Sequence, residues 1–370
     1  MVTAARVVLP DRVLAPGWVE CDDGVIVAVG EGELPGRRVA DGWLVPGFVD
    51  QHTHGAMGRS FEDTSVEAVS EAVGAMHARG ATSVIASLVS AAPDALHEQV
   101  GQLADRCDED LIAGIHLEGP WISPTFKGAH DPEVLRNPTV AEFEELLVVG
   151  RGHIKMVTLA PELPGALDVI AVCADRGVVA AVGHTDATFE QVEAAIDAGA
   201  TVATHLFNAM RPLRHRDPGP IAALTEDPRV TCELIMDGIH LEWPVARLAR
   251  RAAEDRLVLV TDSMAAACVG DGDYMLGTLE VQVRNGCARL VSNGSIAGST
   301  LTMDAAFRNF VNATDAPVPI AVRAASTTPS VLMQLRDRGE IRAGLRADLV
   351  RLNDDLELQE VWRGGEPVTG

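Results

Sequence analysis

Two rhythms of apolar and polar positions divide the chain. Near the start, residues 5–9, 18–21 and 25–29 are short apolar runs of strand length, bounded by glycine, proline and aspartate. The end repeats the pattern at 348–352 and 356–362, with Gly364-Gly365 at a turn. Two β-rich ends around a different middle predict one small β-sandwich domain built from both termini, residues 1–46 and 339–370.

Between them, residues 47–338 alternate helix-period stretches with short apolar runs. Helices are expected over 65–79, 93–107, 187–198 and 244–253. Strands are expected over 47–51, 82–87, 111–116, 154–159, 178–182, 201–205, 231–235 and 257–261. About eight strand-plus-helix units in roughly 280 residues match the rhythm of an α/β (β/α)8 barrel of the TIM type. A doubly wound open sheet is the alternative. It is disfavoured because no glycine-rich phosphate loop follows the first strand.

The 370 residues suffice for one large and one small domain. No apolar run approaches a membrane span, and the N-terminus lacks the pattern of a signal peptide. The six cysteines are scattered without a Cys-x-x-Cys pair, which suits reduced thiols in the cytoplasm. A net charge of −23 speaks against nucleic acid and anionic membrane as partners. It also draws attention to residues 211–216, where Arg211, Arg214, His215 and Arg216 crowd together.

The polar residues that interrupt the apolar runs carry the candidate chemistry. The first barrel strand leads into His52-Thr53-His54, whose alternate side chains share one face. Later runs end in or near Glu118, His184, His205, His240 and Asp262. Taken singly, a strand-end histidine is more often a hydrogen-bonded structural residue, and a strand-end aspartate often caps the next helix. A barrel, however, gathers all these side chains at one mouth. Histidines and carboxylates converging there predict a catalytic divalent-metal site.

Six ordered motifs carry a resemblance. They are His-Leu-Glu-Gly-Pro at 116–120, Lys-Gly-Ala-His at 127–130, Gly-His-Thr at 183–185, His-Leu-Phe-Asn-Ala-Met at 205–210, Asp-Gly-Ile-His at 237–240 and Thr-Asp-Ser-Met at 261–264. Together they resemble the N-acetylglucosamine-6-phosphate deacetylases of the amidohydrolase superfamily, across nearly the whole chain. The resemblance implies that Glu118, His184 and His205 hold the principal metal. It implies that Asp262 handles protons beside an activated water, and that His130 polarises the acetyl carbonyl. Family members differ at His52 and His54. Keeping the pair implies a second ion, touched also by Asp262. Ala129, His130, Asn208, Ala209, Arg216, His240, Ile296, Ala297 and Gly298 fall at the family's substrate contacts, with Arg216 gripping the phosphate from the other subunit of a homodimer. The implied reaction is hydrolysis of a phosphorylated N-acetyl amino sugar to the free amine and acetate in the cytoplasm. Zinc is the first expectation for the metal; iron, manganese and cobalt also suit the donors.

Three other readings stand beside this one. A cyclic-amide hydrolase with a carboxylated lysine would need that lysine at the end of the fourth strand, whereas Lys155 lies near its start and Lys127 in a loop. A galacto-configured substrate differs by one hydroxyl's orientation, which the motifs do not address. A catalytically silent scaffold would be expected to have lost ligands, and Glu118, His184, His205 and Asp262 are all present.

Overall fold

Eight strands, Phe48–Thr53, Ala81–Leu88, Gly114–Glu118, Ile154–Leu159, Val179–Val182, Ala200–Ala203, Thr231–Ile235 and Leu257–Val260, pair in sequence order in one sheet. Every pairing in it is parallel. In this computed structural model, which describes residues 1–36 and 38–369, the strand interiors are almost wholly buried. Burial on both faces explains why these segments read as unbroken apolar runs rather than alternating ones. Arg37 and Gly370, which fall within the small-domain ranges, lie outside the described residues.

Closure comes from the ends of the first and last strands. Asp262 N donates to His52 O at 2.8 Å and His54 N to Ser263 O at 2.7 Å. Below them the buried Asp50 carboxylate accepts from Thr261 N at 3.2 Å and from Thr261 Oγ1 at 2.5 Å. The same backbone hydrogen bonds that shut the barrel therefore set His52, His54 and Asp262 side by side.

The helices pack their apolar stripes outside the strands. Val66–Ala78 buries Ala68, Val69, Ala72, Val73 and Met76, and Ser65 caps it by accepting from Ala68 N. Phe189–Ala198 begins with a capping box made by Thr188 and Gln191. Pro93–Asp108 and Trp243–Ala253 agree with the expected helices to within two residues.

A second eight-stranded sheet joins the two termini. Its main path runs from Glu366–Pro367 through Leu358–Arg363, Leu349–Leu352, Ala40–Pro46, Val2–Val8 and Gly17–Asp22 to Val25–Glu31, with Val13–Leu14 paired to Val2–Val8. Ala40–Pro46 sits between the N-terminal and C-terminal strands, so the hydrogen bonding is continuous across all of them. Its own core includes Val7, Val19, Ile26, Leu44, Ile341 and Leu349.

A three-stranded antiparallel meander, Gly272–Leu276, Leu279–Arg284 and Cys287–Leu290, follows the last barrel strand. Its apolar face buries Leu276, Val281, Val283, Ala288 and Leu290 against Val89, Ala129, Met264 and Ala297. It thus packs beside the barrel mouth and supports the loop through residues 296–298.

Candidate active site

The third strand is displaced toward its C-terminus from the expected 111–116. Leu111 N turns back to Arg106 O, so the apolar run begins in the incoming turn and the ladder later. Glu118 is consequently the last residue of the strand. His184, His205 and Asp262 stand just beyond their strands, with φ of 48°, 29° and 48°. A left-handed backbone costs a non-glycine residue about 1–2 kcal/mol. Here it swings each side chain from the strand direction into the mouth, as strained residues at functional sites do.

Glu118 lies at the centre. Its Oε1 is 3.1 Å from His184 Nε2, 3.0 Å from His205 Nε2 and 3.4 Å from His52 Nε2. Its Oε2 is 3.2 Å from His54 Nε2 and 3.3 Å from His130 Nε2. Asp262 Oδ1 completes the cluster, 3.3 Å from His54 Nε2 and 3.5 Å from His52 Nε2. Two triads of potential metal ligands result, Glu118-His184-His205 and His52-His54-Asp262, all buried. Ligand arms of about 2.0–2.1 Å give tetrahedral edges of about 3.3–3.4 Å, close to the separations of 3.0 to 3.5 Å here.

The proton positions favour a cation. His184 Nδ1 lies 2.9 Å from Phe126 O, an acceptor only, so Nδ1 carries the hydrogen and Nε2 a lone pair. His52 Nδ1 donates to Glu233 Oε2 at 3.1 Å, again leaving Nε2 to face the cluster. His52 Nε2 is buried without a hydrogen-bond partner. His205 Nε2 and His184 Nε2 approach to 3.1 Å, within reach of one shared hydrogen or of one ion.

Titration behaviour agrees. Burial pushes the Glu118 carboxyl up, but His52 and the imidazoles of His130, His184 and His205 overcome it and hold the group well below its ordinary range. Burial likewise raises Asp262, and the His52 and His54 imidazoles more than reverse this, to about 2. Burial lowers His54, while Asp262 and Glu118 together raise it to about 9. Without a cation the carboxylates hold protons on His52 and His54. A divalent ion at the His52-His54-Asp262 triad would replace those protons.

His130 differs from the candidate ligand histidines. Its Nδ1 accepts from Ser90 N at 3.2 Å and lies 2.8 Å from Ser90 Oγ. With Nδ1 accepting, the hydrogen of the neutral ring sits on Nε2, facing the mouth. Burial depresses its pKa to about 4, against the pull of Glu118. His130 is therefore a neutral donor near pH 7, the form suited to an incipient oxyanion.

A cavity of about 370 Å³ opens above the cluster. Of the expected substrate contacts, Ala129, His130, Asn208, Ala209, His240, Ile296 and Gly298 line it. Ala297 is instead buried beneath the loop, packed with the meander. Arg216 is exposed in the 211–217 loop and is not part of this chain's cavity wall. Arg211 pairs with Asp217 at 3.1 Å. No lysine or arginine lines the cavity among the described residues. Its one cation-prone group away from the ligand cluster is His240, whose Nδ1 lies 2.7 Å from Asp237 Oδ2. Burial lowers the His240 pKa, but Asp237 raises it further.

Not everything around the site is equally legible in the sequence. Glu233 hides in an apolar strand, and its burial could not be known before the strand faces were. Ser90 lies just past the end of the second strand, where only a three-dimensional neighbour, His130, gives it meaning. The meander was legible in the alternation Leu279-Glu280-Val281-Gln282-Val283-Arg284 followed by Asn285-Gly286, a hairpin signal.

Comparisons with known proteins point one way. A profile described as "Amidohydrolase family" matches residues 43–368. The chain is 35% identical over 362 residues to an N-acetylgalactosamine-6-phosphate deacetylase of Escherichia coli O157:H7, covering 95% of each. It is 36% identical over 354 residues to the N-acetylglucosamine-6-phosphate deacetylase of Homo sapiens, covering 90% of this chain and 86% of the other. A solved structure of a mutant N-acetyl-D-glucosamine-6-phosphate deacetylase from Mycobacterium smegmatis, in complex with N-acetyl-D-glucosamine-6-phosphate, superposes with a TM-score of 0.97 at 45% identity, covering 100% of this chain and 99% of that one.

Proposed function

The chain belongs to the amidohydrolase family, and from that premise we propose that it hydrolyses N-acetyl-D-glucosamine 6-phosphate to D-glucosamine 6-phosphate and acetate. The observation that carries this reading is the meeting of Glu118, His184, His205, His52, His54 and Asp262 beside His130 at the floor of one cavity. A gluco-configured substrate is favoured by the 45% identity to a deacetylase structure containing that sugar, against 35% to the galacto-specific relative.

Glu118, His184 and His205 would hold one divalent ion, and His52, His54 and Asp262 a second. A bound ion supplies Lewis acidity and brings the pKa of a coordinated water toward about 7. Zinc suits the nitrogen-rich donor set. The rest falls to the chain's own groups. Asp262 is ionised near neutrality, so it can take the proton of the attacking water and return it to the departing amine. His130 donates its Nε2–H to the acetyl oxygen as negative charge develops there.

Substrate placement follows from what the cavity offers. Asn208, the backbone at Ala209 and His240 supply polar contacts for the sugar and its phosphate, and residues 296–298 close over it. Among the described residues, His240 is the one cation-prone side chain away from the ligand cluster that a dianionic phosphate meets in this cavity. Arg216 from the other subunit of a homodimer would supply the missing fork of donors. Six free cysteines accord with a reducing cytoplasm. No described helix is long and apolar enough to cross a membrane.

Acetate release from a panel of N-acetylhexosamines, with and without the 6-phosphate and in both 4-hydroxyl configurations, tests the reading on enzyme of measured metal content. Preferred turnover of the phosphorylated gluco sugar is expected. Equal rates with and without phosphate would remove the phosphate assignment, and no acetate from any sugar would remove the deacetylase.

A further inference from the structure

Glu233 is a carboxylate that none of the proposed catalytic steps uses. It lies inside the strand Thr231–Ile235 and is 0% exposed. Such a group is costly to bury unless its oxygens are satisfied. Its Oε1 accepts from Gln51 Nε2 at 2.8 Å. Its Oε2 accepts from His52 Nδ1 at 3.1 Å and from His205 N at 3.1 Å. One side chain thus touches a member of each ligand triad.

We infer that Glu233 is the positioning residue that makes the His52-His54-Asp262 triad competent for a cation. The inference rests on the metal-dependent reading of the site. Held by Glu233, the His52 hydrogen stays on Nδ1 and the Nε2 lone pair faces Asp262 and Glu118. Without that acceptor, the ring gains by moving its hydrogen to Nε2, where Glu118 Oε1 and Asp262 Oδ1 lie 3.4 and 3.5 Å away. That tautomer satisfies the carboxylates and blocks ligation. The bond to His205 N adds a second consequence. It pins the left-handed backbone that aims His205 into the other triad, so the two triads share a support.

Gln51 supplies the means of testing this. Its Oε1 is buried without a partner. In Glu233→Gln, the Gln51 amide can turn and accept from the new NH2, leaving a carbonyl oxygen to receive His52 Nδ1–H and His205 N–H. In Glu233→Leu no acceptor remains. The full chain, stripped with chelator and titrated with cobalt(II), reads affinity by equilibrium dialysis and geometry by visible absorption. Wild type should bind two equivalents. Glu233→Leu should weaken the ion at His52-His54-Asp262 by about 10–100-fold, as loss of a histidine's hydrogen-bond partner does, weaken the other less, and alter the spectrum. Glu233→Gln should recover most of both. Wild-type binding in the leucine variant, or a glutamine variant as weak as the leucine one, would overturn the inference. So would a wild-type protein holding a single ion with His52 unligated. Should the leucine variant not fold, histidine ¹⁵N spectra of zinc-loaded wild type decide. The hydrogen of His52 must be on Nδ1, and finding it on Nε2 refutes the assignment. No sugar enters these measurements, so they stand or fall separately from acetate release.

Discussion

A carboxylate buried among imidazoles has little freedom over its charge, and the proposed chemistry at Asp262 draws on that restriction. The His52 and His54 rings keep the Asp262 carboxyl ionised down to about pH 2, so a base is present across the neutral range. Asp262→Asn keeps an oxygen donor of the same shape but removes proton acceptance. Turnover should fall by about 10²–10⁴-fold while the ion at Glu118, His184 and His205 is retained. Steady-state rates paired with metal analysis check this, and near-normal turnover with metal bound would relieve Asp262 of the role. His54 gives a second expectation. Its pKa in the metal-free fold is raised from 6.5 to about 9, so its proton stabilises that fold fully below pH 6.5. The contribution is lost as pH rises through 9. Metal ligation needs the neutral ring instead, so the gain in melting temperature on metal loading should grow between pH 6 and pH 9. Thermal scans of loaded and chelator-stripped protein at three pH values measure it. A gain that is flat or shrinking with pH would contradict the ligand assignment of His54.

At the scale of elements, the meander over Gly272–Leu290 is packed as a satellite of the barrel rather than as part of it. Val281 is fully buried in that satellite, under the segment carrying Ile296 and Gly298. Val281→Ala should loosen the cover by about 1–3 kcal/mol without disturbing the barrel. KM should rise and hydrogen exchange quicken across residues 272–298, while metal content and global melting change little. If KM is unmoved despite faster exchange, the cover does not hold substrate. Barrel and satellite were unequally legible in the sequence. The barrel strands stood out because both faces are buried and the runs are continuous. Their polar ends stood out because chemistry is confined to one rim, so His52, Glu118, His184, His205 and Asp262 could be named. Glu233, Ser90 and Asp50 could not, since each acts by touching a residue distant in sequence, a relation that pairing register and side-chain direction alone reveal. The expected third strand began too early for a related reason. Residues 111–113 are apolar because they pack, although the ladder starts only at Gly114.

For the whole molecule, the unanswered charge in the cavity is the informative quantity. A sugar phosphate brings about two negative charges into a site whose floor already holds Glu118 and Asp262, in a protein of net charge −23. One subunit answers with His240, while Arg216 stands exposed and away from its own cavity wall. A twofold interface presents the same surface from both chains, so an arginine unused at home can serve the neighbour's site. Arg216→Ala should therefore weaken binding of phosphorylated sugar far more than of unphosphorylated sugar. The proposed homodimer makes a stronger demand on mixtures. A subunit carrying Arg216→Ala keeps its catalytic carboxylate, and a subunit carrying Asp262→Asn keeps its arginine. In a mixed dimer one site has both an intact Asp262 and a partner's intact Arg216, and the other has neither. Random reassortment of two equally abundant variants makes half the dimers mixed, so activity at sub-saturating phosphorylated sugar, where both parents are weak, should recover to about one quarter of wild type. Refolding or co-expressing the two variants, isolating dimers and measuring acetate release gives the figure. Recovery absent in verified mixed dimers would place the phosphate-binding arginine within its own subunit, or remove Arg216 from the site altogether.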